Sequence, residues 1–180
     1  MGSVATMNRA LTIDTSTNHT VVGVVEKEKI IWSESIEGAT SHGGALGELL
    51  SKAEGLAEVD YVIVGMGPGP FTGLRVGIIF AQGFAKARAI PCIGVVSLDA
   101  VAKSCEFKEE TVISIDARRK ERYWARYDQS GERISEISVS KVDDVPDGML
   151  DKYPTPLGLV KAATTARCIR FTKIERFCSD

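Results

Sequence analysis

The chain has 180 residues, 44% hydrophobic and 26% charged, a balance that suits one domain or two small lobes with a real core. A formal net charge of −2 excludes an overall field that recruits nucleic acid or an anionic membrane, so any such contact needs a local patch or a partner. Cys92, Cys105, Cys168 and Cys178 show no CxxC spacing, which argues against a zinc knuckle or a thioredoxin-type pair.

The opening MGSVATMNRALTIDTS lacks the basic-then-apolar pattern of a secretory signal, and Met7 is a second candidate start. Free thiols without such a signal point to a reducing compartment, the cytoplasm. ALTIDTS, TVVGVVE and KIIWSESI are short, β-branched and separated by polar turns, so they predict three strands joined by hairpins. SHGGALGELLSKAEG follows with His42, Ala45, Leu46, Leu49, Leu50 and Ala53 at helical spacing, predicting a helix over Ser41–Glu54. DYVIVGMG predicts a buried strand and a glycine-rich loop leads into a helix over Thr72–Arg88. PCIGVVS predicts another strand, and Ser97 can cap a short helix through Lys103. The order β-β-β-α-β-α-β-α implies a mixed sheet with helices packed on it, an α/β lobe.

A second series then begins. TVISIDARR and ERYWARYD read as strands and ERISEISVS as a third. LTIDTST and ISIDARR place Asp14 and Asp116 at a separation of 102 positions, and the same shift lays Val21–Val25 on Tyr123–Tyr127. Each half thus opens on an apolar strand ending in Ile-Asp, then a polar turn, then a second strand, the pattern of a duplication. Two unrelated strand–turn–strand units would look the same. A duplicated lobe of this kind resembles the actin, sugar-kinase and Hsp70 ATPase superfamily, an actin-like (ribonuclease H-like) fold. The expected lobes are residues 7–105 and a shortened 110–180. KVDDVPDGMLDKYPTP reads as loop, and PLGLVKAATTARCIRF holds one helix.

GMGPGPFTGLRVG, Gly65 to Gly77, is the most specific stretch. A strand–glycine loop–helix junction can bind an anion through free backbone N–H groups. Yet the loop is neither GxxxxGK[ST] nor a clean GxGxxG, and the alternative is a tight turn with Thr72 as N-cap. In the helix that follows, Gly73, Gly77, Ala81 and Ala85 form a stripe of small residues, beside a broad apolar face of Val76, Ile79, Phe80, Phe84 and Ala87. Arg75, Gln82 and Lys86 make only a narrow polar line. So apolar a helix is expected to be covered on more than one side, either within its own fold or by a partner.

GMGPGPFTGLRVG closely resembles the GPGSFTGLRIG signature of the TsaB (YeaZ) family of bacterial tRNA threonylcarbamoyladenosine biosynthesis proteins. IDTST, SHGGALGELL and IDARRKERYWARY resemble further family segments, so the likeness covers roughly residues 10 to 128. Within the signature loop it matches at Gly67, Pro68, Gly69, Phe71, Thr72, Gly73 and Arg75. Pro70 stands where the family carries serine, and the closing Pro-x-Tyr-x-Arg stretch of the longer family lobe has no counterpart. The resemblance implies a non-catalytic partner of TsaD, the subunit that transfers threonylcarbamoyl to N6 of adenosine 37 in tRNAs reading ANN codons, with TsaE joining as an ATPase. It implies pairing through the first-lobe helices, at His42, Leu46, Leu49, Leu50, Gly77, Ile79, Phe80 and Phe84. A homodimer is expected in isolation, tRNA is met through the complex, and no membrane is involved. No cofactor is expected in the isolated chain, with ATP or ADP placed at a complex interface.

Independent chemistry has three candidate forms. His19 and His42 form no HxxxH or HExxH pair, so no metal site is expected and a metalloprotease reading lacks its ligands. Ser16, His19 and Asp14 would make a triad on paper, but they are local in sequence and lack oxyanion-hole logic. Asp14 and Asp116 are the stronger pair. In actin-fold kinases and ATPases, acids at these strand ends position magnesium or a nucleophile, and Thr15, Ser16, Arg118 and Arg119 are suited to meet a phosphate. Turn chemistry explains the same residues without a ligand. The tail carries Lys152, Lys161, Arg167, Arg170, Lys173 and Arg176 against Asp151, Glu175 and Asp180, without the interleaved aromatics that favour base stacking.

Overall fold

The computed structural model describes residues 8–38, 41–164 and 169–171. Strands β1 (Arg9–Asp14), β2 (His19–Glu26) and β3 (Lys29–Glu37) form an antiparallel meander. Helix α1 (His42–Lys52) leads to β4 (Tyr61–Gly65), which lies parallel to β1, and helix α2 (Phe71–Arg88) leads to β5 (Cys92–Val95), parallel to β4. Helix α3 (Ser97–Lys103) closes the series, in the predicted element order.

Period-two alternation divides the first sheet between two cores. Leu11, Ile13, Val22, Val24, Val62 and Val64 face α1 and α2, where they meet Leu46, Leu49, Ala81 and Ala85. Ala10, Ile63, Ile93 and Val95 face the other side, where Ala100, Leu159 and Val160 cover them. Both faces are buried, which is why the central strands read as continuous apolar runs.

The second sheet holds β6 (Thr111–Arg118), β7 (Glu121–Tyr127), β8 (Ser138–Lys141) and β9 (Met149–Leu150), in the order β8-β7-β6-β9. Its meander and its parallel fourth strand repeat the β3-β2-β1-β4 order of the first sheet. The repeat needs one adjustment. Ile13 pairs with Val22, and Ile115 pairs with Tyr123, so Val22, not Val21, is the counterpart of Tyr123. The second hairpin connection is one residue shorter, a tight turn with positive φ at Arg119 and Lys120. A constant shift of 102 would have turned every side chain of β7 to the wrong face.

Helix α4 (Pro156–Ala163) and strand β10 (Ile169–Phe171) return to the first sheet. Leu159 and Val160 of α4 join its second core, and β10 pairs antiparallel with β5 at the sheet edge. Thr155 caps α4 by accepting from Gly158 N at 3.1 Å, and the approach of α4 to α3 is so close that a Cβ at Gly158 would lie 2.2 Å from Ala100 O. The stretch read as loop, 141–156, holds β9, and the C-terminal helix ends at Ala163. Arg167, Lys173, Arg176, Cys168 and Cys178 lie outside the described residues. No helix among the described residues is long and apolar enough to cross a membrane.

Helix α3 joins the two sheets. Residues Ser97 to Ala102 are all buried, with Leu98, Val101 and Ala102 packed on Ile113, Ile115, Ala125 and Tyr127. Asp99 accepts from Tyr127 Oη at 2.8 Å and from Arg133 Nε at 2.9 Å.

Candidate functional site

The glycine loop between β4 and α2 is laid against the end of β1 and the turn after it. Asp14 is wholly buried there: Oδ1 accepts from Ser16 N at 2.9 Å and Ser16 Oγ at 2.7 Å, and Oδ2 accepts from Ser97 Oγ at 2.7 Å. Ser97 Oγ in turn accepts from Gly67 N at 3.1 Å, and Ser97 N donates to Gly67 O at 2.7 Å. Ser97 is therefore not the cap of α3. Val96 occupies the cap position, and the serine side chain points back to the loop and to Asp14.

Four glycines make this contact feasible. A Cβ at Gly65 would lie 1.7 Å from Asp14 Oδ2; at Gly69, 2.1 Å from Ser16 O; at Gly73, 2.6 Å from Thr15 O; and at Gly77, 2.4 Å from Thr15 Oγ1. The stripe of small residues that includes Gly73, Gly77, Ala81 and Ala85 is the buried face of α2. Thr15 Oγ1 donates to Gly73 O at 2.8 Å. Thr72 is exposed and does not cap the helix; Pro70 holds that position and its carbonyl accepts from Leu74 N at 3.1 Å. The loop thus faces the carbonyl oxygens of Thr15 and Ser16, the wrong polarity for an anion cradle on that side.

His42 lies under the same junction. Its Nδ1 is 2.8 Å from Thr20 Oγ1 in a buried hydrogen bond, and its ring edge faces Gly73. Burial, and then the charge of Arg118, hold its pKa below the ordinary histidine value. Burial likewise pushes the Asp14 carboxyl upward, opposed by the hydrogen bonds from Ser16 and Ser97.

Because the folded value of Asp14 is raised, the native state takes up its proton at higher pH than the unfolded chain. Stability from this group is greatest below the unfolded pKa and is lost as pH rises through the folded one. Asp14→Asn removes that slope. Urea unfolding of both proteins from neutral pH down to about 4 is expected to show the wild type gaining on the variant as the solution is acidified. Parallel curves would exclude a perturbed Asp14.

Asp14 and Asp116 are not brought into one site. Asp116 is exposed in a cleft of about 490 Å³ between the hairpins of the two sheets, lined also by Thr17, Asn18, Arg118, Arg122 and Lys152. Asp14, Thr15 and Ser16 sit behind the glycine loop, outside that lining. The paper triad separates in the same way: Ser16 and Asp14 bond to each other, whereas the His19 ring stacks on Tyr153 at 4.0 Å between centroids. Among the described residues no group of three or more His, Cys, Asp or Glu is gathered as a metal site.

The surface candidates divide by depth. His42, Leu46, Leu49 and Gly77 are buried within the chain, and Leu50, Phe80 and Phe84 are half-buried against the first core. Ile79 is 61% exposed and Phe71 73%, the two most exposed large apolar side chains among the described residues. The Arg75 guanidinium lies over the Phe71 ring at 5.1 Å. Sequence reasoning missed Ser97 as the partner of Asp14 and Tyr153 as the partner of His19; the first pair is 83 residues apart, and no local pattern marks either.

Comparison with known proteins places this arrangement. The family model described as TsaD: tRNA N6-adenosine threonylcarbamoyltransferase matches residues 42–177. An uncharacterized Mycobacterium leprae protein is 35% identical over 186 residues, which cover 87% of this chain and 50% of that protein, so the chain spans half the length of this relative. A Buchnera aphidicola (subsp. Schizaphis graminum) protein named tRNA threonylcarbamoyladenosine biosynthesis protein TsaB is 30% identical over 149 residues, 74% of this chain and 70% of its own length. The solved structure of YeaZ from Pseudomonas aeruginosa superposes with a TM-score of 0.71 at 24% identity, over 87% of this chain and 91% of that one, and so shares the fold. With a family match across most of the chain and a named relative covered over more than two thirds of its length, the chain belongs to the TsaB (YeaZ) family.

Proposed function

We propose that this chain serves tRNA threonylcarbamoyladenosine biosynthesis as a non-catalytic, activating partner of a TsaD-like protein, pairing through the exposed side of α2 and the neighbouring α1. The name of the Buchnera relative supports the process. The observation that carries the partner role is the exposure of Phe71 and Ile79 on a helix whose opposite face is already filled. Apolar side chains of that size cluster at binding surfaces. The two acids that a free-standing ATPase or kinase would use are divided, Asp14 being spent on holding the glycine loop and Asp116 lying apart from it in the cleft, where it accepts from Arg118 N. In this reading a TsaE-like ATPase joins the complex, tRNA is met through it, the work is cytoplasmic, and any ATP or ADP sits at a complex interface.

The test is a modification assay with purified TsaD-like and TsaE-like proteins and unmodified tRNA, with and without this chain. Modification is expected only in its presence. Full activity without it removes the proposed role, and tight binding of magnesium–ATP by the isolated chain in calorimetry favours the enzyme reading instead.

A further inference from the structure

A net charge of −2 leaves nucleic acid only a local patch, and the rim of the cleft carries one. The β6–β7 turn places Arg118, Arg119 and Lys120 in succession, all exposed and all at positive φ, 68°, 53° and 63°. Two-residue hairpin turns with positive φ favour Asn and Gly, so these long cationic side chains stand against the preference of the backbone. The same lining adds Lys152. Of its acids, Asp151 is held by Arg122 at 2.6 Å, Asp116 accepts from Arg118 N at 3.0 Å, and Glu37 stands opposite His19 in the β2–β3 register. Beside the turn, Glu121 stands opposite Lys141, and Asp143 and Asp144 follow β8. Among the described residues no ion pair holds Arg119, Lys120 or Lys152. Tyr153, next to Lys152, stacks on His19 at 4.0 Å between centroids and is still 36% exposed, so its ring has surface left for another.

Resting on the reading that this chain works in tRNA modification, we propose that the rim is a direct contact for the substrate tRNA. Arg118, Arg119, Lys120 and Lys152 meet its phosphates, and an unpaired base extends the stack of His19 and Tyr153. Cations alone would suit any polyanion. The aromatic platform beside them selects nucleic acid, and the single-stranded loops of an RNA supply the unstacked bases that can reach it. None of these residues lies on α1 or α2, so the contact leaves both helices to the protein partner.

The variant Arg119→Asn/Lys120→Gly removes two charges and gives the turn the residues that its φ values favour, so it is expected to melt no lower than wild type. Fluorescence anisotropy with a labelled, unmodified tRNA transcript then reads binding between about 50 and 200 mM salt. At the low end the turn variant is expected to bind about tenfold more weakly, and the slope of log K against log salt is expected to shrink by about one to two. Tyr153→Phe is expected to bind as wild type does, and Tyr153→Ala about tenfold more weakly, with thermal melts showing that both are folded. Wild-type affinity in the turn variant or in a folded Tyr153→Ala protein overturns the proposal, as does no binding by wild type at about 50 mM salt. So does tighter binding of wild type to phosphatidylserine vesicles than to the transcript, which would make the rim a membrane contact. The modification assay separates the two readings. A chain that stimulates modification while its variants bind tRNA like wild type sinks only this inference, and one that binds tRNA through the rim without stimulating modification sinks only the partner role.

Discussion

Gly65→Ala is expected to destabilise the fold by about 3 kcal/mol or more, a large part of the stability of a domain this size. The new methyl group would lie 1.7 Å from Asp14 Oδ2 and 2.6 Å from Ser97 Oγ. Neither atom is free to retreat. Asp14 is fixed by three hydrogen bonds and Ser97 by the loop backbone on one side and Asp14 on the other. Overpacking at a site already locked by polar contacts must move backbone. Urea unfolding measures the loss, and the double variant Gly65→Ala/Asp14→Ala checks its cause. Removing the carboxylate makes room for the methyl group, so the double variant is expected to be less unstable than the sum of the two single changes. Strict additivity would show that the clash is not with Asp14.

Ile79→Arg and Phe84→Arg, five residues apart on one helix, are expected to fail in different ways. Ile79 is 61% exposed, so arginine there leaves stability within about 0.5 kcal/mol of wild type. It also replaces one of the two exposed apolar side chains with a cation one turn from Arg75, and affinity for the partner is expected to fall about 100-fold or more. Phe84 packs against the first core and stacks with Phe80 at 5.9 Å between centroids. Arginine there costs about 3 kcal/mol through lost packing and a cation set beside Arg88, which lies over the Phe84 ring, and the protein loses its fold before its partner. Thermal melts separate the two cases, and binding is then measured only for the variant that melts like wild type. Unchanged binding by a folded Ile79→Arg protein would remove α2 as the pairing surface.

The sequence made the first sheet and its helices legible because they rest on local signals. β-branched runs, the helical spacing of apolar residues along α1 and a stripe of small residues repeating every four all survive in the structure. The second hairpin was visible too, but its register was not. The shortening of its turn alters no composition, only which residues face each other across β6 and β7. Ser97 misled for a related reason. A serine at the start of a helix has a standard local use, and only the fold brings Asp14 and Gly67 within its reach. On α2 the pattern predicts a helix too apolar for one covering layer. The exposure of Ile79, with Phe80 and Phe84 turned inward, depends on where β4 and α1 sit.

The return of α4 and β10 to the first sheet has a mechanical consequence. The second sheet, 111–150, is a loop-out of the first unit, moored at both ends by α3 and α4, which lean on each other through Ala100 and Gly158. A module on one leash can swing in any direction, whereas one on a pair of neighbouring leashes can only twist about the line joining them. Any opening of the cleft between the hairpins would have to turn the second sheet about that pair of connections, so a partner must touch both units to fix the angle between them.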